Sequence, residues 1–359
     1  MIFRSEAQLQ VEIERLTQEL IAVRAANADE HLAQDIALST AVEQIKKAYK
    51  SRDWLNLKNA AAYIAEIKSD VAPVEPDPEQ EWLEISNGIF GVPFPPVWGL
   101  PKEYAMPRGK FTIFGAPQKT GKTRATISAL LALADIGHRV SFMSGEMPSS
   151  QIWLIAWMQK QFLDKRLSIG EFEARAYMAS KDPRYIGHHE SYKNFRRHYG
   201  QKIFVMYTPG WSARRIVYGH RLSENHFGRP ATVWATDYAQ IIAKDPAARD
   251  MRESQINNSL YFTVATGLAN VAHILVSQVN EMGVTAESTQ YERDAGMVVN
   301  FIRETNKDTG EKSAQIKIHV KHSRSTASGI FPRWMDVKSG AIVPDAGYTP
   351  KESQGRFDD

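Results

Sequence analysis

The run GAPQKTGKT passes from Gly115 through Ala116, Pro117, Gln118, Lys119 and Thr120 to Gly121, Lys122 and Thr123. These residue types at this spacing suit the holding of a polyphosphate. Amides of a loop that enters a helix have no partner inside the helix, and the helix dipole favours negative charge at the same spot. Gly121 permits close backbone approach. Lys122 can reach the outer phosphates, and the Thr123 hydroxyl can ligate Mg²⁺. Ala116 stands where the strict GxxxxGK[ST] pattern has its first glycine, with Gly115 just before it. The apolar run FTIF precedes the loop and TRATISALLALA follows it, the strand–loop–helix setting that such a loop requires. ATP with Mg²⁺ is the expected ligand.

Phosphate chemistry also needs an acid for the metal and a group to activate water. TVWATDYAQII places Asp237 at the end of an apolar strand, where a metal-binding carboxylate belongs, although strands also end in Asp for turn reasons. RVSFMSGEMPSSQ places Glu146 just beyond another core strand. An acid there can polarise water, or it can simply sit at a helix N-terminus near Pro148. AHILVSQVNEM puts Gln278 at the tip of a third strand, where an amide could sense a γ-phosphate.

Short apolar runs at 111–114, 140–143, 203–206, 232–236, 274–276, 298–302 and 315–320 predict the elements that position these groups. Helical stretches at 124–134, 150–163 and 254–270 separate several of them. The alternation predicts an α/β fold with a mostly parallel sheet covered by helices on both faces. The charged, His- and Tyr-rich stretch 165–200 is expected to form a helical insertion on the surface. Its aromatic and basic residues at 188–199 suit either nucleic acid or packing on a neighbour.

Ahead of this body, Leu9, Ile13, Leu16, Leu20 and Val23 follow a 4-3-4-3 spacing along one helical seam. A second helical stretch is expected over 31–68, so 1–70 reads as a helical region: an oligomerisation or loader-binding module, or a hairpin packed on its own body. Residues 71–106 read as a proline-rich linker and wrapping segment, 107–344 as the ATPase domain, and 345–359 as a disordered tail.

The net charge of +3 is unevenly spread. Residues 1–79 hold nine Lys/Arg against fourteen Asp/Glu, which leaves +8 for the rest. That suits a body that meets polyanions, and equally a solvated charged surface. The absence of cysteine excludes disulfides and Cys-based zinc sites. No apolar run is long enough for a membrane helix, and the acidic start is unlike a secretory signal, so the cytoplasm is the expected setting.

Taken in order, several segments resemble the ATPase domain of DnaB-type replicative helicases. They are PRGKFTIFGAPQKTGKT, VSFMSGEMPSSQIWLIAW, IFVMYTPGWSARRI, VWATDYAQII, ILVSQVNE, YERDAGMVVNFIRE and IHVKHSRSTASGIFPRW. The resemblance spans roughly 107–343. It implies a RecA-like fold and a homo-oligomeric, hexameric ring on single-stranded DNA, with a loader or primase as further partners. By the same carry-over, Lys122 and Thr123 bind phosphate and Mg²⁺, Glu146 activates water, and Asp237 holds Mg²⁺. Gln278 would couple the γ-phosphate to DNA-contacting loops within 238–252 and 280–293. The family's basic finger has Lys and Arg two positions apart. Here Lys321 and Arg324 are three apart, and Arg324 is the favoured finger because a planar guanidinium suits a transferring phosphoryl group. The front end does not match the family's helical collar. A RecA-like filament-forming repair ATPase and a non-unwinding regulatory ATPase remain alternatives.

Overall fold

Each of the seven apolar runs falls on a strand in the computed structural model, which describes residues 91–237, 239–245, 248–280, 289–304, 312–323 and 327–348. The strands are β1 (Val92–Pro93), β2 (Ala105–Met106), β3 (Lys110–Ala116), β4 (Val140–Ser144), β5 (Ile203–Tyr207), β6 (Val233–Asp237), β7 (Ala272–Gln278), β8 (Met297–Ile302), β9 (Gln315–Ser323), β10 (Gly329–Met335) and β11 (Ile342–Val343). The helices are α1 (Lys122–Asp135), α2 (Ser149–Lys165), α3 (Glu171–Ala179), α4 (Ile186–Tyr199), α5 (Ala213–Phe227), α6 (Met251–Ala269) and α7 (Thr289–Asp294). The expected helical region at 1–70 lies outside the described residues.

Among the described residues, nine strands form one sheet in the order β11-β10-β9-β8-β3-β7-β6-β4-β5. The six from β8 to β5 are parallel, and β9, β10 and β11 extend the sheet in antiparallel fashion. Every residue of β4 and β6 is buried, because helices cover both faces of the parallel part. Alternation divides the core in two. Phe114, Phe142, Ala235 and Val276 pack with α1 and α2, whereas Phe111, Ile113, Trp234 and Leu275 pack with α5 and α6.

The chain leaves β3 for β4, yet β7 and β6 lie between them, while β8 flanks β3 on its other side. A crevice opens beyond the carboxyl ends of the strands at such a reversal of direction, which is where open α/β sheets take their ligands. The phosphate loop starts there.

The described part of the wrapping segment packs on the same core. Trp98 is fully buried, with its ring 5.7 Å from Phe301 and 6.2 Å from Phe114. Arg333 of β10 donates to the carbonyl oxygens of Trp98 and Gly99. The stretch 165–200 forms α3 and α4. Its aromatic and basic residues serve packing: Arg196 lies 3.7 Å over the Trp153 ring, and Phe195 and Tyr199 are buried. The expectation of a structureless tail from Asp345 does not hold for its first residues. Arg166 donates to the Ala346 carbonyl at 2.8 Å and faces the Tyr348 ring at 5.5 Å, so a helix-end cation finds two partners there.

Candidate nucleotide and metal site

The loop between β3 and α1 is shaped by two glycines with different duties. Gly121 takes φ +99°, a conformation that costs a side-chain-bearing residue, and Lys119 also has positive φ, at 59°. Gly115 answers a space limit, since a Cβ there would lie 2.3 Å from Asn300 Oδ1. Ala116 ends β3 fully buried and in register with Gln278, so the loop proper begins at Pro117. The Thr120 amide donates to the Pro117 carbonyl at 3.3 Å, which closes the turn, while Gln118 and Lys119 are exposed. No side chain caps α1 at Gly121. Its first-turn amides therefore have no intrahelical partner and aim toward the crevice.

The Thr123 hydroxyl donates to Asp237 Oδ2 at 2.7 Å, joining the first turn of α1 to the tip of β6 across 114 residues. Asp237 is 1% exposed, and its other oxygen, Oδ1, has no hydrogen-bond partner among the described residues. Burial pushes the carboxyl up to about 6. The Thr123 hydrogen bond opposes this, the Glu146 charge adds to it, and the Lys122 ammonium opposes it again. Four residues nominated for separate reasons thus meet at one carboxylate.

Glu146 reaches the site through a fixed turn. Ser144 pairs with Asp237 across β4 and β6, and the Gly145 amide donates to the Asp237 carbonyl at 2.7 Å. The Met147 amide donates to Ser144 Oγ at 3.1 Å. Glu146 is exposed and precedes α2, whose first turn carries no acid, so a helix-capping duty does not describe its place. The residues fit Mg²⁺: a hydroxyl and a buried carboxylate with one unused oxygen supply hard donors, and this ion characteristically adds water and substrate phosphate. No cluster of three or more His, Cys, Asp or Glu suited to a metal occurs among the described residues, which suits a two-ligand protein contribution.

Gln278 ends β7 beside the loop, with its backbone N–H donating to Gln240 Oε1 at 3.2 Å. Gln240 also donates to Ser277 Oγ at 2.9 Å and to the Gln278 carbonyl at 3.1 Å. It therefore ties the segment after Asp237 to the tip of β7. Sequence reading passed it over, although the run TDYAQII contains it. Lys321 lies apart from the loop, in a 3.0 Å ion pair with Glu292 of its own chain. Arg324 lies outside the described residues, as do 281–288 and parts of 238–252 among the proposed DNA-contact loops.

The chain has the fold of a DnaB-type helicase ATPase domain. A DnaB-like replicative helicase, described together with its interactions with primase, superposes with a TM-score of 0.61 at 16% identity, covering 87% of this chain and 76% of that one. The ATPase domain of a second helicase superposes with a TM-score of 0.61 at 17% identity, covering 75% of this chain and 99% of that one. No protein-family model and no curated protein matches the sequence. At these identities the likeness is one of fold, and the DnaB-type ATPase fold gains its chemistry here from the site itself. No helix among the described residues is long and apolar enough to cross a membrane.

Proposed function

We propose that the chain is an ATP-dependent DNA helicase or translocase of the DnaB type, working in replication as a ring of subunits, six in the leading form, around single-stranded DNA. The observation that carries the nucleotide part is the 2.7 Å hydrogen bond from Thr123 to a buried Asp237 whose second oxygen is unused. The ring, the DNA and a primase or loader partner rest on the DnaB-type fold and on the order of the sequence motifs.

In this reading the amides of 117–123 and the Lys122 ammonium hold the β- and γ-phosphates in line for attack. Thr123 and Asp237 would hold Mg²⁺, which when bound neutralises charge on the phosphate oxygens. Glu146 accepts a proton from water as the water oxygen bonds to the γ-phosphorus. The bond from that phosphorus to the β-phosphate oxygen breaks, leaving ADP and inorganic phosphate. Gln278, locked to Gln240, reports the γ-phosphate to the loops after β6 and β7. Arg324 from a neighbouring subunit would meet charge developing on the transferred group, with Lys321 the alternative.

ATPase activity with and without single-stranded DNA, paired with mass measurement of the assembly, tests the proposal. Stimulation by DNA in a closed oligomer supports it. Turnover indifferent to DNA, with a fork substrate left paired, would leave a regulatory ATPase instead.

A further inference from the structure

The face of β6 opposite Asp237 carries a chain of hydrogen bonds whose direction can be worked out. Thr266 Oγ1 has one proton and donates it to the Phe262 carbonyl at 2.5 Å. Its contact with His273 Nδ1 at 3.5 Å then requires Nδ1 to be the donor. His273 Nε2 is consequently the acceptor, and it takes the Thr236 hydroxyl proton at 2.9 Å. Thr236 Oγ1 can now only accept from His220, whose Nε2 lies 3.1 Å away. His220 Nδ1 in turn accepts from Ser141 Oγ at 3.0 Å. One orientation satisfies every member, and it fixes both imidazole tautomers. Ser141, His220, Thr236, Thr266 and His273 are all at most 2% exposed, and His220 stacks on Trp234 at 4.8 Å and 3°.

Thr236 is the centre of this chain and the residue directly before the proposed metal carboxylate. The tip of β6 needs such an anchor. The β6–β7 ladder ends at Thr236 opposite Leu275, while Asp237 pairs only with β4. A small cavity lined by Gly145, Thr208, Trp211, Thr236, Asp237 and Ile241 lies beside the tip, so packing alone does not press it into place. The bond from Thr236 to His273 supplies on the side-chain level the tie to β7 that the backbone drops one residue later.

We infer that the Thr236 hydroxyl, clamped between His220 and His273, is a positioning residue that holds the tip of β6 so that Asp237 meets the divalent cation. The inference deepens the nucleotide-site reading and rests on it.

The test measures Mn²⁺ binding by electron paramagnetic resonance in the presence of ADP, and ADP binding in EDTA by calorimetry, on the full chain. Thr236→Val should weaken Mn²⁺ binding about tenfold and leave metal-free ADP binding within about twofold. Thr236→Ser, which keeps the hydroxyl, should stay within about threefold of wild type for both. Should Thr236→Val fail to fold, His273→Leu removes the acceptor while keeping bulk, and the same tenfold loss is expected. Equal weakening of both measurements would mean a merely structural role, and unchanged Mn²⁺ binding in a folded variant would overturn the inference outright. Wild type that binds no Mn²⁺ with ADP would overturn the nucleotide-site reading, and this inference with it.

Discussion

Replacing Asp237 by asparagine should stabilise the nucleotide-free protein while disabling the site. The carboxyl is raised from its ordinary 3.8 to about 6 by burial. A raised folded pKa means that the folded state binds the proton more tightly than the unfolded chain does. The group's contribution to stability is then fully present below pH 3.8 and is lost as pH rises through 6. Ionisation at pH 8 therefore costs about 3 kcal/mol, from roughly 2.2 units at 1.36 kcal/mol each, and at pH 4 only about 0.6 kcal/mol. The amide removes that cost but buries an N–H group facing the place where Oδ1 has no partner, a penalty of about 1 kcal/mol. The net gain is about 2 kcal/mol at pH 8, which is about 4–8 °C in Tm for a domain of this size, and it vanishes or reverses near pH 4. Thermal unfolding of both proteins at the two pH values measures it, and other titrating groups cancel in the difference. Adding Mg²⁺ and ADP should raise the wild-type Tm and leave Asp237→Asn nearly unmoved. A variant less stable than wild type at pH 8, or a stability difference that does not change with pH, would refute the claim of a buried, ionised, under-partnered carboxylate.

The other expectations concern catalysis and acid stability. Lys122→Ala should abolish nucleotide turnover, and retained DNA-stimulated hydrolysis would reject the phosphate assignment. Glu146→Gln should still bind ATP but hydrolyse it about 10²–10³-fold more slowly in single-turnover assays. Arg324→Ala should be inactive alone yet regain some turnover when mixed with Glu146→Gln subunits, which steady-state rates across mixing ratios would reveal. Burial lowers His273 to about 3 from 6.5, so its contribution to stability is present above pH 6.5 and declines as pH falls toward 3. Between pH 8 and pH 5 that decline amounts to roughly 2 kcal/mol. Urea unfolding of His273→Leu should show a pH dependence flatter by that amount, while His220, also held well below its ordinary value by burial, keeps titrating.

Local features were the legible ones. The phosphate loop could be read because its strand, turn and helix are contiguous, and the structure adds only that Gly115 answers to Asn300. Asp237, Glu146 and Gln278 could be nominated because each follows an apolar run that had to be a strand. Which of those strands lie side by side is a matter of long-range pairing, and the placement of Ser144 beside Asp237 and of Ala116 beside Gln278 came only from the sheet. The edge strand β10 escaped notice because it is not apolar: Pro332 and Arg333 interrupt it, as an edge position tolerates. The His220–Thr236–His273 chain left no trace in the sequence, since its members are 16 and 37 residues apart and polar residues inside a strand read as solvent-facing.

The alternation along β6 explains why one strand can serve two opposed demands. Val233 and Ala235 pack on the α1 side, and Trp234 packs on the α5–α6 side. Period-two geometry then sends Asp237 toward α1 and Thr123, and Thr236 toward the two imidazoles. A slip of one residue would bury the carboxylate against His220 and His273 and offer a threonine to the phosphate site. The register is thus part of the chemistry, and Trp234 guards it: only in this pairing does the indole stack on His220 while Val233 pairs with both Val140 and Ala272. The carboxylate is costly to bury, and it stays where it is because hydrophobic burial of its strand neighbours, each worth about 1.5–3 kcal/mol for a large side chain, outweighs that cost.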